Sequence, residues 1–162
     1  MDTISTIAVS IQNPLLTALD LFFDNVFIYA GLILLLVFLA EKREEKRRKL
    51  IVSLILTFIL ATIIKVVLAH QRPCFGQLDC PEDYSFPSLH AAIAFTLMTG
   101  FLNKKSFPLF LFFALVVCFT RLNLGVHIFQ DIVVALPLAL VSYYLTDILW
   151  KTPKRKPYGS RS

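Results

Sequence analysis

The chain has 162 residues, of which 57% are hydrophobic and 17% charged, and its mean hydropathy is +0.71. Soluble domains carry roughly 45–50% apolar and about 25% charged residues, so this composition excludes a soluble globule and a disordered chain. The length suits one compact unit of about five membrane-crossing helices at roughly 20 residues each.

Residues 3–22 are apolar but interrupted by Asn13-Pro14 and Asp20. They predict an amphipathic helix lying in the outer membrane interface. No basic residue precedes Lys42, so a secretory leader is not expected. Apolar runs at about 23–40, 50–69, 88–102, 106–120 and 126–150 predict five spans. The expected fold is an all-α integral membrane bundle, with one embedded domain over 1–150 and a basic cytoplasmic tail over 151–162.

The net charge of +5 is unevenly distributed. The segment 41–49, the pair Lys104-Lys105 and the tail hold thirteen of the sixteen basic residues. Five crossings put all three segments on one face, which the positive-inside rule makes cytoplasmic. The expected location is the plasma membrane, with the opposite face outside. Charges in short loops bordering spans are topology signals, so no nucleic-acid partner is expected. Cys74 and Cys80 share the polar 70–87 segment, where a disulfide is sterically open to them. Cys118 lies in an apolar run as a core residue. No Cys/His spacing suggests zinc, and no phosphate loop or nucleotide fingerprint is present. No metal or cofactor is expected.

Three basic residues remain: Lys65, Arg72 and Arg121. A lone Lys65 could snorkel to the interface. Arg72 follows seven residues later, nearly two helical turns, which predicts that both cations share a face before Pro73 ends the helix. Two aligned cations repel unless an anion lies between them. Next, Pro87-Ser88-Leu89-His90 reads as a helix start. Its free amides and dipole favour an anion. Ser88 is alternatively a simple helix cap. Finally, Arg121 precedes a turn at Asn123 and Gly125, and His127 opens the last span with Asp131 one turn on. Asp131 can hold the Nδ1 proton of His127 and leave Nε2 free as nucleophile or base; a purely structural His–Asp hydrogen bond is the alternative.

These residues map to the outer ends of four helices, with His70 in the same loop region. Three cations, helix-start amides, two histidines and one carboxylate fit phosphoryl transfer. The cations and amides hold the non-bridging oxygens, one histidine attacks phosphorus, and the other protonates the leaving oxygen.

The three strings resemble the type 2 phosphatidic acid phosphatase superfamily, whose motifs are Lys-x6-Arg-Pro, Pro-Ser-Gly-His and Ser-Arg-x5-His-x3-Asp. Here they read Lys65 to Arg72-Pro73, Pro87-Ser88-Leu89-His90, and Thr120-Arg121 to His127 and Asp131. The resemblance implies that Lys65, Arg72, Arg121, Ser88 and the Leu89 amide bind phosphate. It implies a phosphohistidine at His127 oriented by Asp131, with His90 as acid and then base, and no metal. Leu89 and Thr120 depart from the family's Gly and Ser. Leu89 either narrows the pocket or turns its side chain into lipid, so altered specificity is expected rather than lost catalysis.

Spans 88–102 and 106–120 are short, which predicts a site below the headgroup plane and sideways entry of a lipid. The expected substrate is a lipid phosphate or diphosphate, first a polyprenyl diphosphate, with phosphatidate and phosphatidylglycerophosphate as alternatives. Rival readings are a lipid phosphotransferase, a non-catalytic binder or transporter of anionic lipid, and haloperoxidase chemistry.

Overall fold

The computed structural model describes residues 2–11, 13–74, 76 and 80–151. The basic tail beyond Lys151 lies outside the described residues. Seven helices follow in order: α1 (Thr3–Ser10), α2 (Pro14–Asp24), α3 (Val26–Ala40), α4 (Glu44–Leu68), α5 (Leu89–Thr99), α6 (Phe107–Asn123) and α7 (Phe129–Lys151). There is no strand among the described residues.

The N-terminal segment is two helices where the sequence predicts one. The side chain of Asp2 accepts from the Ser5 N–H at 2.9 Å and caps α1. Asn13 accepts from the Leu15 N–H at 2.8 Å and caps α2, with Pro14 in its first turn. A proline lacks the N–H that a continuous helix needs there, and its fixed φ suits a new start. Asn25 caps α3 in the same way through Phe27 and Ile28. Both α1 and α2 pack on α6, burying Ser5, Ala8, Asp20 and Phe23.

Helix α4 begins at Glu44, so most of the charged run is helical rather than a loop. Glu, Lys and Arg are good helix formers, and Glu44 and Glu45 in the first turn complement the dipole. Arg48 pairs with Glu44 one turn away at 2.5 Å.

Helix α5 is the hub. It packs against α3, α4, α6 and α7, and eight of its eleven residues are buried. Ala91, Ala92 and Ala94 keep its surface small, which lets neighbouring backbones approach. The Thr57 and Thr96 hydroxyls bond across the α4–α5 contact at 2.8 Å. Beyond α5, a Cβ at Gly100 would lie 2.7 Å from Leu50 Cδ1. Burial of Cys118 agrees with its reading as a core residue.

The bundle has two chemically distinct ends. At one, Lys104 pairs with Glu41, and Asp147 pairs with both Lys49 and Lys151 at 2.6 Å. Lys65 lies sixteen residues along α4 from Lys49, roughly 24 Å away at 1.5 Å per residue. The charged segments 41–49 and 104–105 therefore gather at one end, as their sequence pattern predicts, away from the three exceptional cations. α4 and α7 are long and apolar enough to cross a membrane, whereas α3, α5 and α6 are apolar but shorter, at 15, 11 and 17 residues. Exposed apolar side chains such as Phe27, Val67, Leu109 and Ile148 clothe the outside of this membrane bundle.

Enlarging the α5 hub tests this packing. Ala92→Leu is expected to cost about 1–3 kcal/mol through overpacking, read as a lowered thermal midpoint in detergent.

Candidate active site

The path of the chain after α4 builds the first part of the site. α4 ends at Leu68 because Ala69 takes a left-handed conformation, φ 47°. Arg72 is therefore on the loop and not on the helix, which corrects the expectation that periodicity aligns it with Lys65. The turn brings the two cations together by another route, and an anion lies between them. Asp83 Oδ2 accepts from Lys65 Nζ at 2.5 Å, and its Oδ1 accepts from Arg72 Nη2 at 2.5 Å and Nε at 3.0 Å. Asp83 comes from the far side of the 69–88 loop. That loop is tied by the Cys74–Cys80 disulfide and by Ser85, whose N–H donates to the His70 carbonyl at 2.8 Å. His70 Nδ1 bonds the Ser85 hydroxyl at 3.0 Å, so His70 serves the loop.

The α5 N-terminus supplies the second part. Ser88 stands at the cap position, yet its hydroxyl caps nothing and is buried without a hydrogen-bond partner. Its N–H donates to the Asp131 carbonyl at 3.0 Å, tying α5 to α7. His90 is half-buried, with its ring 4.8 Å from the Tyr29 ring. The Tyr29 hydroxyl donates to the His90 carbonyl at 2.8 Å. His90 lies within electrostatic reach of Arg121, His127 and Lys65. Leu89 lies with His90 along an apolar groove of about 290 Å³ between α3, α4 and α5.

The third part spans the α6–α7 connection. Arg121 is 1% exposed. Its Nη1 donates to Asp24 Oδ1 at 2.8 Å and its Nη2 to the Asp20 carbonyl at 3.1 Å, while Nε has no partner. Gly125 makes the turn with φ 67°, a conformation glycine adopts without penalty. His127 lies two residues before α7, and Asp131 lies in its first turn. Asp131 Oδ2 accepts from the Ile128 N–H at 3.1 Å and contacts His127 Nδ1 at 3.2 Å. Across the ring, Arg72 Nη1 is 3.4 Å from His127 Nε2. A guanidinium only donates, so Nε2 is the acceptor and the ring proton belongs on Nδ1, toward Asp131.

The loop after α4, the α5 start and the α6–α7 turn thus meet at one end of the bundle. Residues 46–155 match the PAP2 superfamily. The chain belongs to that family. Sphingosine-1-phosphate phosphatase 2 from Mus musculus is 30% identical over an alignment of 117 residues that covers 63% of this chain and 33% of that protein. This PAP2 chain thus matches about a third of that relative's length. Among solved structures, Aquifex aeolicus LpxE superposes with a TM-score of 0.69 at 24% identity, covering 90% of this chain and 93% of that one. A transmembrane PAP2-type phosphatidylglycerolphosphate phosphatase from Bacillus subtilis gives 0.68 at 21% identity, covering 94% and 85%. Both likenesses are of fold.

Sequence reasoning missed four residues at this PAP2 site: Asp83, Asp20, Asp24 and Tyr29. Buried cations demand anions, but nothing along the chain says which carboxylates meet them. Asp83 lies in the 69–88 loop and Asp20 and Asp24 in α2, with no spacing that ties them to the cations.

The Asp83 contact has a pH signature. Burial acts most strongly on its carboxyl and would raise its pKa, but hydrogen bonds from Lys65 and Arg72, with their charges, outweigh burial and hold it below the ordinary value. Such a group adds stability that is present above the unfolded pKa and lost as pH falls through the lowered one. The stability gap between wild type and Asp83→Asn is expected to shrink from about pH 5 toward pH 2, followed by thermal unfolding. A gap constant over that range would mean the carboxylate charge is not what the cations hold.

Proposed function

We propose that the chain hydrolyses a lipid phosphate or diphosphate through a phosphohistidine, without a metal. The observation that carries this reading is the pairing of His127 Nε2 with Arg72 at 3.4 Å while Asp131 holds Nδ1. It puts an imidazole lone pair beside the Arg72–Lys65 cation cluster. Lys65, Arg72 and Arg121 neutralise the phosphoryl oxygens. The Ser88 hydroxyl and Arg121 Nε, both buried and unpartnered, are donors left for those oxygens, together with the Leu89 amide at the helix start.

In the first step His127 Nε2 attacks phosphorus and the bond to the leaving oxygen breaks, with His90 donating the proton that oxygen takes. Asp131 stabilises the imidazolium. In the second step His90 takes a proton from water, the oxygen of that water attacks the phosphohistidine, and orthophosphate leaves as His127 is freed. Among the described residues no three His, Cys, Asp or Glu side chains group as a metal site. In this reading charge neutralisation falls to the three cations.

The apolar groove supports a lipid as the leaving group. It runs along α3, α4 and α5 with His90 in its lining, so a hydrocarbon chain laid in it passes the acid. Leu89 lies along that groove, which favours the second expected outcome for the Leu89 departure, an altered lipid contact. A path for one chain makes a polyprenyl diphosphate the first candidate, ahead of phosphatidate and phosphatidylglycerophosphate. In the topology we favour, the chain crosses the plasma membrane five times as a single domain over 1–150, with the basic end and tail cytoplasmic and the site outside.

Phosphate release from a panel of these lipids in detergent tests the reading. Activity is expected to persist in EDTA. His127→Ala is expected to abolish turnover while sparing phosphate binding, and His90→Ala to lower kcat by about 10²–10⁴-fold. Near-normal hydrolysis by His127→Ala would overturn the nucleophile assignment. The groove has its own test. Ala30 lines it and is exposed, so Ala30→Trp fills it without disturbing the core. KM for a long-chain lipid phosphate is expected to rise by about tenfold or more, the equivalent of losing about 1.4 kcal/mol of tail contact, while that for a soluble aryl phosphate stays unchanged.

A further inference from the structure

We infer that Asp83 is a built-in competitor of the phosphoryl group, a carboxylate that occupies the Lys65–Arg72 cradle and must be displaced for phosphate to bind. The inference rests on the reading that Lys65 and Arg72 bind phosphate, and it adds a residue that sets how tightly they do so.

The donor inventory of Arg72 carries the argument. A guanidinium binds phosphate best through a two-pronged edge. The Nε/Nη2 edge is taken by Asp83 Oδ1, at 3.0 and 2.5 Å, and Nε also reaches the Asp83 carbonyl at 3.0 Å. The remaining nitrogen, Nη1, donates to the Val126 carbonyl at 3.1 Å and faces His127. Lys65 Nζ is held by the other Asp83 oxygen. A phosphoryl group entering between these cations and His127 therefore meets the two-pronged Arg72 edge and one Lys65 N–H already in use, and a carboxylate of its own sign. Its two negative charges outbid one, but only by expelling Asp83.

The geometry also says which partner moves. The Lys65 and Arg72 side chains are 9% and 7% exposed, whereas that of Asp83 is 56% exposed. Asp83 sits on a loop between the disulfide and α5, beside a cavity of about 400 Å³ that Arg72, Glu82 and Tyr84 also line. Rotation of its side chain into that cavity frees the cradle without disturbing a helix. Its return as phosphate departs keeps the two buried cations paired and hastens product release.

A merely structural Asp83 predicts the opposite effect from a competing one, which makes the test decisive in sign. Removing a structural support scatters Lys65 and Arg72, and phosphate binds more weakly. Removing a competitor makes phosphate bind more tightly. For Asp83→Asn we expect the inhibition constant for inorganic phosphate to fall by about three- to tenfold, the range for losing one or two half-exposed ion pairs. KM for the lipid phosphate is expected to fall with it and kcat not to rise, and Asp83→Glu is expected to restore wild-type values. An unchanged or weakened phosphate affinity in Asp83→Asn would overturn the inference.

Footprinting of wild-type protein gives a second measure that needs no variant to fold. Carbodiimide-driven modification of Asp83, followed by mass spectrometry, is expected to speed up severalfold in saturating inorganic phosphate. No change, with phosphate shown to bind by a thermal shift, would reject the displacement. If wild type hydrolyses no lipid phosphate, the proposed activity fails; footprinting with inorganic phosphate still decides whether Asp83 guards the cradle.

Discussion

Three cations buried at one end of an apolar bundle are the constraint from which the rest of the structure follows. A buried charge without a partner costs several kcal/mol, and an apolar surround offers no water to soften that cost. Lys65 and Arg72 share Asp83, and Arg121 takes Asp24 with the Asp20 carbonyl. Each carboxylate arrives from a different segment of the chain, so neutralising the cluster folds distant segments onto one another. The left-handed Ala69 and the stapled 69–88 loop exist in service of that meeting. Without the reversal at Ala69, α4 would carry the chain past the level where Asp83 waits.

The hub helix brings Ser88 and His90 to this charge cluster. α5 can be only eleven residues long because it is walled in by α3, α4, α6 and α7. Its N-terminus therefore lies beneath the loop and next to α7, where the Ser88 N–H meets the Asp131 carbonyl. The same Asp131 holds His127 with its carboxylate. One residue thereby couples the helix that presents Ser88 and His90 to the turn that presents His127. Small residues on α5 make that coupling possible, since bulkier ones would push the helix that carries His90 away from the α7 start beside His127.

Much of this was legible in the sequence. Hydrophobic runs located α3 to α7, and charge placement separated the basic end from the other. The spacings Lys65 to Arg72 and His127 to Asp131 found residues that do converge. The spacing found the right pair for His127 and Asp131 even though His127 precedes α7, because the Asp131 carboxylate turns back to accept from the Ile128 N–H at the helix start and meets the His127 ring there. It misled for Lys65 and Arg72, because helical periodicity holds only while the helix lasts, and a left-handed alanine leaves no sequence signal comparable to glycine. Ser88 looked like a cap by residue type, yet its hydroxyl caps nothing. The charged run 44–49 read as a break because polarity suggests a loop, although its residues favour helix. The partner carboxylates were beyond reach for a different reason: they act across the fold, and single-sequence periodicity reports only along the chain.

The N-terminal third shows why this distinction matters. The PAP2 match begins at residue 46, so α1, α2 and α3 lie outside it. Yet Asp24 and the Asp20 carbonyl hold Arg121, and Tyr29 holds the His90 backbone and packs on its ring. Asn123, just beyond Arg121, donates to the Ala8 and Ile11 carbonyls at 2.6 and 2.8 Å, anchoring α1 to the end of α6. The matched region carries the motif residues, but two of them are oriented from outside it. A motif specifies which groups meet, and the surrounding helices decide how firmly they are held. α1 to α3 therefore belong to the site as much as to the scaffold.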